Sequence, residues 1–186
     1  INTIQRELAG QMDFQAAVDM VGDKLSEVLH TKDLGIRWYD DKTNLIQYLY
    51  SGSAARMVIP PRPPHPGGFF ERMLNTRQPV VWNTLEEGNA IQPSIPGTAD
   101  SKSGIAVPIL SDSRVLGYMQ IENYEQEYAF SESEARLLST VAGSLATALE
   151  NSRLLVDADR RARQMATLAE AGREITASHD LPAILE

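Results

Sequence analysis

The pattern of apolar and polar positions changes period twice along the chain. Up to Leu29, apolar residues recur three or four positions apart. Ile4 and Leu8 lie on one stretch, and Phe14, Val18, Val21, Leu25 and Val28 on another. This spacing predicts helix in two segments, with Asp13 capping the second. From Leu34 the period shortens to two. Leu34–Tyr39 (LGIRWY) and Leu45–Tyr50 read as strands joined by DDKTN, where Asp and Asn can bond their own backbone. Gly104–Leu110 (GIAVPIL) and Val115–Glu122 (VLGYMQIE) form a second pair around Ser111-Asp112-Ser113, the signature of a hairpin. Val80–Trp82 is a further short strand. The helical period then returns. Ser131 and Glu134 make an S-x-x-E capping box, and Leu138, Val141, Leu145, Ala148 and Leu149 follow as one apolar stripe.

Alternation along each strand separates two faces. Ile36 and Trp38, Ile105, Val107 and Ile109, and Val115, Met119 and Ile121 share the apolar parity. The other parity mixes small with polar groups: Arg37 and Tyr39, Gly104 and Ala106, then Leu116, Tyr118, Gln120 and Glu122. The apolar face should meet the terminal helices, while the mixed face leaves space and places polar groups in it. Arg37, Tyr39, Gly104, Ala106, Tyr118, Gln120 and Glu122 are therefore the candidate pocket residues. An arginine between Ile36 and Trp38 needs an acceptor, and Glu122 on the same face is the simplest one; a carboxylate or phosphate ligand is the alternative.

Met57–Gly68 contains five prolines and reads as a stiff connection, neither helix nor central strand. Gly67-Gly68 opens a short helix over Phe69–Asn75, and Leu85–Lys102 reads as a polar loop with at most a helical turn. The last helix should run from Glu132 beyond Leu155 and Met165 towards Ile175. Its charged middle keeps a seam of Leu155, Ala162, Met165 and Leu168, which a parallel partner helix would bury. Leu145, Leu149 and Leu155 are the candidate dimer contacts.

Composition narrows the possibilities. A chain of 186 residues with 42% hydrophobic content can bury one domain-sized core. Its formal net charge of −8, without a basic cluster, argues against nucleic acid and anionic membranes as partners. No apolar run approaches the ~20 residues of a membrane span. With no cysteine there can be no disulfide, thiolate metal site or cysteine nucleophile. The three histidines (His30, His65 and His179) have no metal-ligand spacing, and no serine lies in G-x-S-x-G. These absences point away from an enzyme, and nothing in the sequence names a cofactor.

The stretch SGIAVPIL…RVLGYMQIEN…FSESEARLLSTVAGSLATALENSRLL resembles the C-terminal half of a GAF domain, the small-molecule sensing module of signalling proteins. The resemblance implies an α+β fold. A central antiparallel sheet of five or six strands would carry the terminal helices on one face and the pocket, short helix and loops on the other, with Leu85–Lys102 as the variable cover of the pocket. It also implies limits. GAF-type methionine sulfoxide reductases work through cysteines, and most bilin-carrying members attach their pigment to one; this chain can do neither. Cyclic-nucleotide-binding members carry an Asn-Lys pair, then Phe, then Asp-Glu. Asn123 and Phe130 match that motif, but Tyr124, Glu134 and Ala135 stand at the Lys, Asp and Glu positions, so its salt bridge cannot form.

Arg6-Glu7-Leu8 recurs as Arg173-Glu174-Ile175, and Asp13 recurs as Asp180 at the same separation, which predicts that a second copy begins near the end. The expected organisation is one GAF domain with its N-terminal helix over 1–155, then a helical linker and the start of a repeated domain over 156–186. The expected function is cytoplasmic ligand sensing and relay, as a parallel homodimer, to an output domain of histidine kinase or nucleotide cyclase type in the same polypeptide. A purely structural dimerisation spacer and a cyclic-nucleotide-binding domain are the alternatives.

Overall fold

The computed structural model describes residues 2–52, 59–94, 97, 99–111 and 114–179. The chain divides into two units, 1–149 and 150–186. The first contains the sheet. The second is helical as far as His179.

Five strands form one antiparallel sheet in the order β2-β1-β5-β4-β3. They are β1 (Leu34–Asp40), β2 (Leu45–Ser51), β3 (Val80–Trp82), β4 (Ser103–Leu110) and β5 (Val115–Asn123). The helices are α1 (Asn2–Val28), α2 (Phe69–Thr76), α3 (Leu85–Ile91) and α4 (Glu132–His179). Two sequence expectations need correction. First, α1 is a single helix and not two: Asp13 stands in its interior, and the segment contains no proline to force a break. Second, Leu85–Ile91 is a true helix. Thr84 caps it by accepting from the Glu87 amide, and Glu86 and Glu87 suit its N-terminal dipole.

The two faces of the sheet carry separate cores. On one face Val18 and Leu25 of α1, with Leu138, Ala142 and Leu145 of α4, pack on Ile36, Ile105, Val107, Met119 and Ile121. Trp38 packs at the margin of this layer, edge-on to Phe14 at 6.0 Å. On the other face Phe69, Phe70 and Met73 of α2 cover Ile46, Trp82, Ala106 and Tyr118. Each fully buried side chain of this size contributes ~1.5–3 kcal/mol, and alternation alone decides which core receives it.

Alternation fails at two bulges. Between β4 and β5 the register passes from Ile109 opposite Gly117 to Leu110 opposite Val115, so Leu116 has no opposite number. Val115 therefore joins the α2-side core and Leu116 the helical layer, the reverse of strict parity. Between β1 and β2 the register passes from Ile36 opposite Tyr50 to Arg37 opposite Tyr48, leaving out Leu49. Beyond this hairpin the Pro-rich segment crosses the outer edge of β2, where Ile46 and Arg62 exchange both backbone hydrogen bonds, at 2.7 and 3.2 Å.

The expected capping of α4 is present. The Glu134 carboxylate accepts from the Ser131 amide at 2.7 Å and from its hydroxyl. Those bonds, the hydroxyl first, hold the Glu134 carboxyl below its ordinary value.

Candidate functional site

A cavity of about 300 Å³ lies on the α2 side of the sheet. Its floor comes from parity: Gly35 and Arg37 of β1, Tyr48 of β2, and Tyr118, Gln120 and Glu122 of β5. Asp33 and Tyr124, just outside the strands, extend this floor. The cover comes from Phe69 at the start of α2, from Gly88 and Asn89 of α3, and from the loop through Gln92, Ser94 and Ser101.

Arg37 is the unusual group here. It is only 7% exposed, and its Nη1 donates to the Tyr50 carbonyl at 2.9 Å, at the bulge between β1 and β2. The guanidinium folds back over Gly35, where a Cβ would lie 2.2 Å from Nη1. Gly35 is thus the empty position that admits it. The Tyr48 ring also contacts the guanidinium, with its centroid 4.6 Å from Cζ, worth ~0.5–2 kcal/mol. Among the described residues no carboxylate lies within ion-pair distance of this guanidinium. The expected Arg37–Glu122 pair is therefore not formed. Arg37 takes a carbonyl and an aromatic face instead: its side chain folds over Gly35, which pairs with Gln120, and stops short of Glu122.

Glu122 finds neutral donors. It accepts from Gln120 Nε2 at 2.8 Å and from the Tyr124 hydroxyl at 3.1 Å. Burial raises the Tyr124 phenol well above its ordinary value, and the Glu122 charge and hydrogen bond add to the rise. Burial also raises the Asp33 carboxyl, Glu122 adds to this, and Lys32 opposes it. Tyr118 is fully enclosed, and burial pushes its phenol up while Arg37 pulls it down. Among the described residues no group of His, Cys, Asp and Glu could hold a metal ion.

Of the seven residues nominated from parity, Arg37, Tyr118, Gln120 and Glu122 line the cavity. Tyr39, Gly104 and Ala106 do not, although they lie on the same sheet face. Tyr39 packs on Phe70 at 4.8 Å and donates to Asn44 at 3.0 Å. The space left by Gly104 is filled by Trp82, whose ring would lie 2.1 Å from a Cβ there. Ala106 is buried in the same aromatic cluster. A side chain from β3 thus occupies what the small residues of β4 leave open. Sequence reasoning missed Tyr48, Asp33, Tyr124 and the contribution of α3. Tyr48 was reachable by counting the hairpin register back from Asp40 opposite Leu45, which places it opposite Arg37 before the bulge.

Leu145, nominated as a dimer contact, is 4% exposed and sits in the domain's own helical layer, because α4 uses that stripe to cover the sheet. The side chains of Leu149 and Leu155 lie outside the described ones, as does Asp180–Glu186 of the suspected repeat. Further along α4, Met165 and Leu168 are both 72% exposed.

Comparison with known proteins decides the family. The GAF domain profile matches residues 11–150, most of the chain. The chain belongs to the GAF family. This GAF domain matches no curated protein sequence. Among solved structures it is similar to the GAF domain of an Acinetobacter phosphoenolpyruvate-protein phosphotransferase, with a TM-score of 0.63 at 14% identity over 77% of this chain and 86% of that one. A GAF domain/HD domain protein from Geobacter sulfurreducens aligns with a TM-score of 0.66 at 16% identity over 79% and 98%. A free methionine-R-sulfoxide reductase from Neisseria meningitidis aligns with a TM-score of 0.58 at 21% identity over 76% and 81%. The GAF fold therefore serves parts of larger proteins and enzymes alike, and the fold by itself does not assign an activity to this chain. No helix among the described residues is long and apolar enough to cross a membrane.

Proposed function

We propose that this GAF domain is a non-catalytic sensory and regulatory module of a larger cytoplasmic signalling protein. It binds a small molecule in the cavity above β1 and β5 and relays occupancy through α1 and α4 to an output domain of histidine kinase or nucleotide cyclase type. The observation carrying this reading is the partly open cavity, polar and apolar in equal measure, with an un-neutralised guanidinium in its lining. A spacer with a collapsed pocket has no use for such a group, which costs free energy to bury without a counter-charge. The departures at Tyr124, Glu134 and Ala135 argue against tight binding of cAMP or cGMP. Tyr124 spends its hydroxyl on Glu122 in place of a lysine's charge, and Glu134 spends its carboxylate on Ser131.

Assembly belongs to the same proposal. The domain forms a parallel homodimer through α4, whose exposed Met165 and Leu168 continue an apolar seam with Ala162 and Leu155. The spacing of Arg6-Glu7 and Asp13 against Arg173-Glu174 and Asp180 supports a tandem arrangement with a following GAF copy. Native mass spectrometry of the chain purified from cells tests the sensing reading. A retained small molecule is expected. An empty protein that also binds nothing from a broad set of metabolites would sink it.

A further inference from the structure

The geometry points to a small zwitterion of the amino-acid type as the ligand of this cavity, its carboxylate on Arg37 and its ammonium towards Glu122 and Asp33. This rests on the sensing reading and narrows it to a ligand class.

Three features of the cavity carry the assignment. The first is the cationic wall. Arg37 bonds one carbonyl and one ring face, so most of its five N–H donors remain for a ligand, and no described carboxylate neutralises it. A guanidinium fork fixed over Gly35 and against the Tyr48 ring is matched in donor spacing to a carboxylate.

The second feature is the anionic end of the same floor. Glu122 and Asp33 both line the cavity, and the Glu122 amide donates to the Asp33 carbonyl at 3.0 Å, so the two residues are locked side by side. Glu122 is held by two neutral donors and has no cation in ion-pair range among the described residues. The Asp33 carboxyl, raised by burial and by Glu122, behaves as a group facing negative charge. An ammonium placed there would relieve both carboxylates. A ligand of several negative charges, such as a nucleoside phosphate, would be repelled by them, and a simple cation would be repelled by Arg37.

The third feature is separation. Arg37 pairs with Tyr118, but its guanidinium returns over Gly35, which pairs with Gln120. Glu122 is the next residue along that face of β5, so the strand positions beneath the two charged groups lie about 7 Å apart, one two-residue repeat of a strand. An amino-acid head lying above the sheet bridges such a spacing with two charge-assisted hydrogen bonds of ~2.8 Å, each slanting down to the floor. The volume of about 300 Å³ is at the small end of ligand pockets, which suits a side chain of modest size.

The test is calorimetry on the full chain with each of the twenty L-amino acids and γ-aminobutyrate. Every binder is then compared with its deaminated carboxylic acid and its decarboxylated amine. At least one amino acid should bind, and loss of either charged group should weaken binding about tenfold or more. Arg37→Met should abolish binding with the circular dichroism spectrum retained. Glu122→Gln keeps size and neutral hydrogen bonds, and should weaken the amino acid without weakening the deaminated acid. No binding by any member of the panel, or equal binding of the deaminated acid, overturns the zwitterion. If a nucleotide or an uncharged metabolite is retained instead, the zwitterion falls while sensing stands. If the chain is empty and binds none of these, both fall.

Discussion

Gly104→Ala tests the aromatic packing that closes the β4 side of the cavity. The indole of Trp82 is 1% exposed and passes between two glycines. A Cβ at Gly104 would lie 2.1 Å from Cζ2, and one at Gly88 would lie 2.8 Å from Cδ1. Carbon atoms rest ~3.5–4.0 Å apart, so a methyl at 104 cannot be accommodated where the ring stands. Nor can the ring retreat freely. Phe69 stacks on it at 4.5 Å, its Nε1 donates to Ser101 at 3.2 Å, and Gly88 backs its other edge. Overpacking of this kind costs ~1–3 kcal/mol, and a strained or lost indole hydrogen bond adds ~1 kcal/mol. At ~2–4 °C per kcal/mol for a chain of this size, melting should fall by roughly 4–16 °C. Trp82→Phe removes the ring atoms that collide, so the double variant should recover ~1–2 kcal/mol relative to the sum of the single changes. Urea unfolding followed by far-ultraviolet circular dichroism measures all four corners of the cycle. A Gly104→Ala protein melting within a degree of the parent, or strict additivity in the double variant, would refute the packing described.

Other expectations concern the helical layer and the charged groups. Leu145→Ala should cost ~2–5 kcal/mol in urea unfolding, because Leu145 belongs to the domain's own core; a change in association with unchanged stability would contradict that placement. Deleting residues from Asn151 onward should convert the proposed dimer to monomer in sedimentation at tens of micromolar, and a full chain that already sediments as a monomer refutes the dimer. Asp33→Asn should stabilise the protein at neutral pH. The folded-state pKa of Asp33 is raised above its ordinary value, so its ionised form opposes folding, and the gain should vanish as pH falls below the ordinary aspartate range. Glu134 has the opposite sign. Its lowered carboxyl contributes stability above the ordinary glutamate value and loses it as pH falls through the folded-state value, so acid unfolding should come at higher pH in Ser131→Ala than in the parent.

What was legible in the sequence was whatever repeats locally. Alternation placed Ile36, Ile105, Val107, Met119 and Ile121 under the helices, and the S-x-x-E motif located the start of α4. What was illegible depended on residues distant in the chain or on breaks in the period. Nothing near Gly104 or Ala106 announces that Trp82 fills the space beside them, and parity read their small size as cavity. Two one-residue bulges exchanged the faces of Val115 and Leu116 and brought Tyr50, not Leu49, opposite Ile36. The Arg37–Glu122 pair failed for a related reason. Shared parity places two residues on a face, but a long side chain chooses its direction along that face, and Gly35 offered the nearer space.

The Pro-rich crossing at Arg62 also bears on behaviour in concentrated solution. At one margin of the sheet, Ile46 of β2 already exchanges both backbone bonds with Arg62, and the prolines on either side of Arg62 bring no amide hydrogens to continue a ladder. At the other margin β3 offers only three residues. Neither margin presents the long run of unpaired backbone on which a foreign strand, or a misfolded copy, could template itself. Domains that must meet their own kind in every functional encounter risk meeting them through the wrong surface. Among the described residues the two margins offer little backbone for such encounters, so the proposed pairing of copies would rest on side chains, which can be selective.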